Sequence, residues 1–479
     1  MPQYEDELNK RREKREAQRA KRAAEQKRMK RMLILAVLIL CACGLGMGYL
    51  ISNAEPAAVE AGPAQITEAT EAPKETEKPA AALFQDPITT IHIRAAGDLN
   101  VTDSVINAGV AVSGYDYSGA FKDVAAVLAE ADLTVMNFEG NVCGEPYGSA
   151  TTSAPLQLLR DLRACGVDLL QMANSCAVNN GLNGLTSTLS AIRSVGIEPL
   201  GAYSSDAEFT TSKGYTITEI QGIRVAFVAF TKGMGGRGLP AGNENLVNLL
   251  YTDYATTYKE VDRDRITKIL KNVENEDPDI TVAMLHWGSE YNDDISATQE
   301  SIVSLMKKNG VDVIIGTHPH TVQPIVHDAA AGTLVAYSLG DFFGDAERGG
   351  TNYSIILDIE ITKDAAAGTT KVTGFSYTPI YTVKESECVD QNRRVVRIDK
   401  AIEAWTGNFL DKVTDATKAN MEYALTRIGQ RVAVTEEVEC PECETVLEVL
   451  ADSSGTLVSQ KTCKCGEVLP AGSKVSDYD

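Results

Sequence analysis

Only five histidines occur in the 479-residue chain, and three of them, His286, His318 and His320, stand directly after runs that read as β-strands. Other potential ligands take the same place: Asp98 follows one predicted strand, Glu139 another, and Asn174-Ser175-Cys176 closes a third. Strands hold their backbone rigid while the loops beyond them are free to carry ligands. Imidazole nitrogens and carboxylate oxygens with no thiolate cluster suit Mn, Fe, Zn or Mg better than a redox copper site. In His318-Pro319-His320, proline biases its predecessor toward extended backbone, which predicts two imidazoles facing the same side. Taken singly, His286 before Trp287 reads as a core histidine, Asp98 after Gly97 as a turn residue and Glu139 as a loop carboxylate. Their joint placement at strand ends reads instead as a metal-binding set. His92 and His327 lie inside predicted strands and are read as structural.

The elements that must position these residues follow from periodicity. Strand patterns at 88–96, 133–138, 168–173, 280–285 and 311–316 alternate with helical patterns at 121–131, 156–165, 182–195, 258–273 and 296–308. A hairpin of 216–220 with 224–230 turns at Gln221-Gly222, and bare strands follow at 322–327, 333–339, 353–361 and 371–381. This order predicts an α/β layered core completed by antiparallel strands over 88–396, then a helical segment at 397–432.

Charge divides the chain unevenly. Residues 1–31 hold twelve Lys/Arg and six Asp/Glu, so the overall −21 becomes −27 once their +6 is set aside. A body that acidic repels phosphate backbones, which argues against a nucleic-acid partner. A hydrophobic content of 44% excludes wholesale disorder. Residues 32–51 carry no charge and would span roughly 30 Å as a helix, the thickness of a bilayer core. With the basic lead before it, this segment predicts a single-pass protein of the cell membrane, amino terminus cytoplasmic and main domain extracytoplasmic. The long basic lead disfavours a cleaved signal peptide, and apolar sequence continuing past Cys43 disfavours lipidation there. Residues 52–87, rich in Pro, Glu and Ala, read as an extended linker.

A tail at 433–479 carries two close cysteine pairs, Cys440 with Cys443 and Cys463 with Cys465. That arrangement is read either as a zinc-ribbon-like site with a structural Zn or as two disulfides. The second pair, CxC rather than CxxC, departs from the usual ribbon spacing.

Several of these residues sit in longer motifs: Gly97-Asp98, Asn137-Phe138-Glu139, Ala173-Asn174, His286-Trp287-Gly288 with Glu290-Tyr291, Gly316-Thr317-His318-Pro319-His320, and Tyr337-Ser338-Leu339-Gly340. In order and spacing they resemble the CapA family of poly-γ-glutamate capsule synthesis, itself similar to the calcineurin-like metallophosphoesterases, over about residues 88–382. The resemblance implies a four-layer α/β/β/α sandwich holding one or two divalent metals, with Asp98 on one ion, Glu139 bridging, and His286, His318 and His320 completing the set. The implied chemistry is phosphoester hydrolysis or phosphoryl handling. The implied role is making an anionic surface polymer, with the membrane, envelope polymer-synthesis subunits and an anionic polymer or phosphate-bearing substrate as partners.

One loop departs from the family pattern Ala-Asn-Asn-His-x-x-Asp-x-Gly. Ser175 stands where an Asn would ligate metal, Cys176 where a His would protonate the leaving group, and Asn179 where an Asp is expected; Asp341 also replaces the usual Asn after Ser-Leu-Gly. A neutral serine is a poor ligand, and a thiol substitutes poorly for imidazole as a general acid at Cys176. The departure fits a weakened enzyme, one with altered chemistry, or a non-catalytic binding or scaffold subunit.

Overall fold

The computed structural model describes residues 88–388, 391–406, 413–432, 434–451, 455–457, 460–470 and 473–478. In chain order the main strands are Ile88–Asn100 (β1), Leu133–Glu139 (β2), Leu169–Gln171 (β3), Glu198–Leu200 (β4), Thr216–Ile220 (β5), Ile223–Thr231 (β6), Ile280–His286 (β7), Val313–Thr317 (β8), Ile325–Asp328 (β9), Thr333–Ala336 (β10), Asp341–Phe343 (β11), Tyr353–Asp364 (β12), Thr369–Val383 (β13) and Arg394–Arg397 (β14). They form two mixed sheets, one ordered β14-β13-β12-β1-β2-β3-β4 with β11 beside β1, the other β5-β6-β7-β8-β10-β9.

Side-chain alternation in the second sheet sets the layers. Val225, Phe227 and Ala229 of β6, with Val282 and Met284 of β7, share one core with Ile91 and Ile93 of β1. The intervening Ala226, Val228, Phe230, Ala283 and Leu285 share a second core with helices Arg263–Glu276 and Ala297–Lys308. One face of this sheet therefore packs into the same core as the first sheet, while helices cover its other face. Helix Arg263–Glu276 buries Ile266, Ile269, Leu270 and Val273, one stripe at helical spacing. Each such side chain contributes roughly 1.5–3 kcal/mol on burial, so packing rather than intrinsic helicity holds the helix.

Boundaries differ from the periodicity where caps intervene. The helix expected at 258–273 begins at Arg263, because Asp262 caps it by accepting from the Arg265 N–H and Tyr258 takes a left-handed φ of 55°. The pattern at 121–131 resolves into two short helices, Ser118–Phe121 and Ala125–Ala129. The helical segment after β14 is two helices, Ile398–Thr406 and Asp415–Val432. The second buries Met421, Ala424, Ile428 and Val432 in the core shared by the sheets. Its Arg427 and Arg431 both donate to the Asp293 carboxylate, in the loop after β7.

The described residues of Thr89–Lys363 and Thr370–Asp479 form one compact unit. The apolar segment 32–51, its basic lead and the linker lie outside the described residues. The single-pass membrane placement expected from that segment is corrected: among the described residues no helix is long and apolar enough to cross a membrane. The longest helix there, Asp415–Val432, has 18 residues and is broken by Lys418, Glu422, Arg427 and Arg431, too polar for a bilayer core.

Candidate metal centre

The parallel pairing of β1 with β11 puts Asp98 directly opposite Asp341. A glycine permits it: a Cβ on Gly97 would lie 1.8 Å from the Gly340 carbonyl oxygen, so only glycine allows the two backbones to approach this closely. The Asp98 N–H donates to that same carbonyl. Asp98 is fully buried, and both its oxygens are held: Oδ1 accepts from the Asn137 amide and Oδ2 from the His318 backbone N–H at 3.0 Å.

Glu139, at the end of β2, lies between two groups of donors. Its Oε1 is 2.9 Å from His286 Nε2 and accepts from the Ser175 hydroxyl at 2.9 Å; its Oε2 is 3.8 Å from His320 Nε2. On one side the His286 and His318 rings lie with centroids 4.5 Å apart, tilted by 55°. On the other, His320 Nδ1 meets Asp341 Oδ1 at 2.7 Å and Asp98 Oδ2 at 3.6 Å. Ligand atoms of Glu139, His286 and His318 lie within 4.8 Å of one another, and so do those of Asp98, His320 and Asp341, and of Glu290, His318 and His320.

The five expected residues Asp98, Glu139, His286, His318 and His320 thus meet in one place, but not for the backbone reason expected. His318 and His320 have φ of 92° and 60°, left-handed rather than extended. Such conformations cost on the order of 1–3 kcal/mol each in non-glycine residues and persist where the surroundings enforce them. Here the His318 N–H is tied to Asp98, and the Pro319 carbonyl accepts from the Tyr291 N–H at 2.8 Å.

Hydrogen bonding fixes the tautomer of His286. Gln171 Nε2 donates to the Ala173 carbonyl, leaving Gln171 Oε1 to accept from the Thr317 hydroxyl at 3.1 Å. The Thr317 oxygen then accepts from His286 Nδ1, 3.2 Å away. With the proton on Nδ1, Nε2 is left as an acceptor 2.9 Å from the Glu139 carboxylate, and His318 Nδ1 is a buried nitrogen without a hydrogen-bond partner. Two acceptors facing each other in the protein interior are stabilised by a cation between them, and atoms sharing one ion at about 2.1 Å lie about 3.0 Å apart at octahedral and about 3.4 Å at tetrahedral angles.

Protonation differs between the two sides of Glu139. Burial holds His286 and His318 below the ordinary imidazole value, the neutral form that ligates metal. Burial pushes the Asp98 carboxyl up to about 8, opposed by His320 and reinforced by Glu139 and Asp341. Burial likewise raises Asp341. Against its own burial, His320 is held well above the usual value by the Asp341 carboxylate. Three buried carboxylates in one cluster form a set whose charge a divalent cation balances, and these donors fit such an ion.

Sequence reading overlooked Asp341 and Glu290 as donors. Asp341 was visible only as a departure after Ser-Leu-Gly, since its pairing with Asp98 comes from a strand some 240 positions away. Asn174 is a clamp, not a ligand: its amide donates to the Phe138 carbonyl at 2.7 Å and its Oδ1 accepts from the Cys176 N–H. Cys176 borders a cavity of about 300 Å³ together with Glu139, His320, Asp341, Tyr291 and Arg348. Burial, with Glu139 nearby, pushes its thiol up to about 12, so it keeps its proton at neutral pH. The Asn179 amide donates to Thr152. His92 pairs with Asp358 and His327 with the Val372 carbonyl, both apart from the centre.

An α/β protein with carboxylates and imidazoles converging at the ends of its strands is the class that fold and site define. The chain belongs to the bacterial capsule synthesis protein family PGA_cap, whose pattern matches residues 92–346. It is 29% identical over 267 residues to the PGA biosynthesis protein CapA of Bacillus subtilis, covering 54% of this chain and 64% of that protein. Similarity to the capsule biosynthesis protein CapA of Bacillus anthracis is 27% over 261 residues, 53% of this chain and 60% of that protein. The match therefore spans less than two thirds of either relative. Among solved structures, a calcineurin-like phosphoesterase of Bacillus subtilis overlaps 61% of this chain and 91% of its own at 16% identity and a TM-score of 0.37. A putative 5'-nucleotidase of Staphylococcus aureus overlaps 73% of this chain and 60% of its own at 12% identity and a TM-score of 0.38. Overlap at these scores is too slight to assign function.

Proposed function

We propose that this chain is a metal-dependent, phosphoester-handling component of bacterial capsule synthesis, working on a phosphate-bearing species in the making of a poly-γ-glutamate type polymer. The observation that carries the reading is the position of Glu139 between His286 and His318 on one side and the Asp98, His320 and Asp341 set on the other. In this reading His286 and His318 would hold one divalent ion and Asp98, His320 and Asp341 a second, with Glu139 within reach of both groups. Bound there, divalent ions polarise a phosphoryl oxygen and supply hydroxide near neutral pH. Arg348, whose guanidinium lies 4.1 Å over the Tyr291 ring at the cavity wall, orients the anionic substrate. Ser175 fixes one Glu139 oxygen, and Cys176 lines the cavity beside Glu139.

A second reading, a non-catalytic binding subunit of a polymer-synthesis complex, is favoured by the residue at the cavity wall, a cysteine where the family pattern has the proton-donating histidine; burial pushes that thiol further from neutrality. Metal content and hydrolysis of bis-p-nitrophenyl phosphate, measured on the purified chain with and without manganese, separate the two. Manganese-dependent turnover lost on removal of His318 and His320 supports the enzyme. Bound metal with saturable phosphate binding but no turnover supports the subunit. A chain that takes up no metal at these residues sinks both.

A further inference from the structure

The tail repeats one small device twice. Strands Val434–Glu439 (β15) and Val446–Ala451 (β16) pair antiparallel, with Cys440 and Cys443 in the connection between them. Lys461–Thr462 (β17) and Val468–Leu469 (β18) pair in the same way, with Cys463 and Cys465 between them. In each connection the residue after the second cysteine takes a left-handed φ, 58° at Glu444 and 100° at Gly466. Each of those residues also donates its N–H to the carbonyl of the first cysteine, Glu444 to Cys440 at 2.9 Å and Gly466 to Cys463 at 3.0 Å. The two turns thus present their thiols in like manner although one is CxxC and the other CxC.

The four thiols meet at one point. Cys440 Sγ lies 3.6 Å from Cys465 Sγ and Cys443 Sγ 3.5 Å from Cys463 Sγ, and all four sulfurs are within 4.8 Å of one another. Two disulfides would need only two pairwise approaches, with nothing to draw the pairs together. A tetrahedron of sulfurs around zinc, at about 2.3 Å from the metal, has edges of about 3.8 Å. Among the described residues the hydrophobic cluster around them is small: the aliphatic side chains Val438, Leu447, Val449, Leu457 and Leu469, with Cys440 and Cys463 themselves, and Val475 and Tyr478 packed against it. So small a core needs a covalent or metal staple to stay folded.

We propose that Cys440, Cys443, Cys463 and Cys465 form a structural tetrathiolate zinc site that holds the tail folded, independent of the carboxylate–imidazole centre. All four ligands are protein thiolates, which leaves no open position for chemistry. The test uses the full chain, with zinc content measured for wild type, for Cys443→Ser/Cys465→Ser, and for His318→Ala/His320→Ala. One zinc per chain should vanish in the cysteine variant and persist in the histidine variant. Cobalt loaded into the histidine variant should show the sulfur-to-metal charge-transfer absorption of a tetrahedral thiolate site. Alkylation of the denatured, unreduced wild type followed by peptide mapping does not depend on any variant folding: all four cysteines should be modified once a chelator is present. Disulfide-linked tail peptides in that map, iron in place of zinc, or equal zinc in the wild type and the cysteine variant would each overturn the assignment.

Discussion

His286 Nε2 and Glu139 Oε1 face each other across 2.9 Å in the protein interior. The other ring nitrogen, Nδ1, lies 3.2 Å from the oxygen of Thr317, whose own hydroxyl is committed to Gln171, which draws the ring proton to Nδ1. A lone pair and a carboxylate set against each other are poorly satisfied by protein alone.

Replacing Glu139 by Gln removes the buried charge and gives His286 Nε2 an amide donor. The chelator-treated variant should be more stable than chelator-treated wild type by about 1–3 kcal/mol, the cost of an unsatisfied buried polar group. Stabilisation by manganese should disappear. Thermal melts with and without manganese give both numbers, and a variant less stable in chelator that still responds to manganese contradicts the arrangement.

Thr317→Val keeps the shape but removes the oxygen that fixes the His286 tautomer. Loss of such a supporting partner typically weakens metal binding about 10–100-fold. A competition titration against a chromophoric chelator measures it; unaltered affinity would show that the tautomer is set by something else.

Asp341 faces Asp98 across β1 and β11 and shares His320 with it. Asp341→Asn retains a carbonyl oxygen and should still bind metal, whereas Asp341→Ala should lose an ion. His318→Ala/His320→Ala should abolish binding at the centre altogether. Metal stoichiometry after dialysis decides, and an Asp341→Ala protein with full occupancy removes Asp341 from the ligand set.

The Ser175-Cys176 loop is tested by a four-member cycle assayed in saturating manganese. Ser175 already reaches Glu139, so an Asn there is placed to present its amide oxygen to the centre. Cys176→His alone should gain little. Ser175→Asn with Cys176→His should raise phosphodiesterase activity by more than the product of the single changes, toward the 10²–10⁴ or so that general acid catalysis contributes. If wild type is already as fast as the double variant, Cys176 is no handicap and takes part in a different mechanism.

Local sequence determined the strand ends. Asp98, Glu139, His286, His318 and His320 were legible because strand periodicity stops just before them, and alternation along a strand is a property of neighbours in the chain. Comparison with the family pattern exposed the departures at Ser175 and Cys176, and spacing alone the paired cysteines of the tail. Tertiary structure decided which of these residues meet, and how. Asp341 joins Asp98 through a pairing of strands far apart in the chain, possible only because Gly97 lacks a side chain. His318 and His320 converge through left-handed backbone that their surroundings impose, against the extended form local preference favours. Asn174 is a clamp because the Phe138 carbonyl lies within its reach. The four tail sulfurs close on one point because two separate hairpins bring them there. Each of these depends on contacts between distant segments, whose energies enter only after the chain has folded and leave no periodic trace in the sequence.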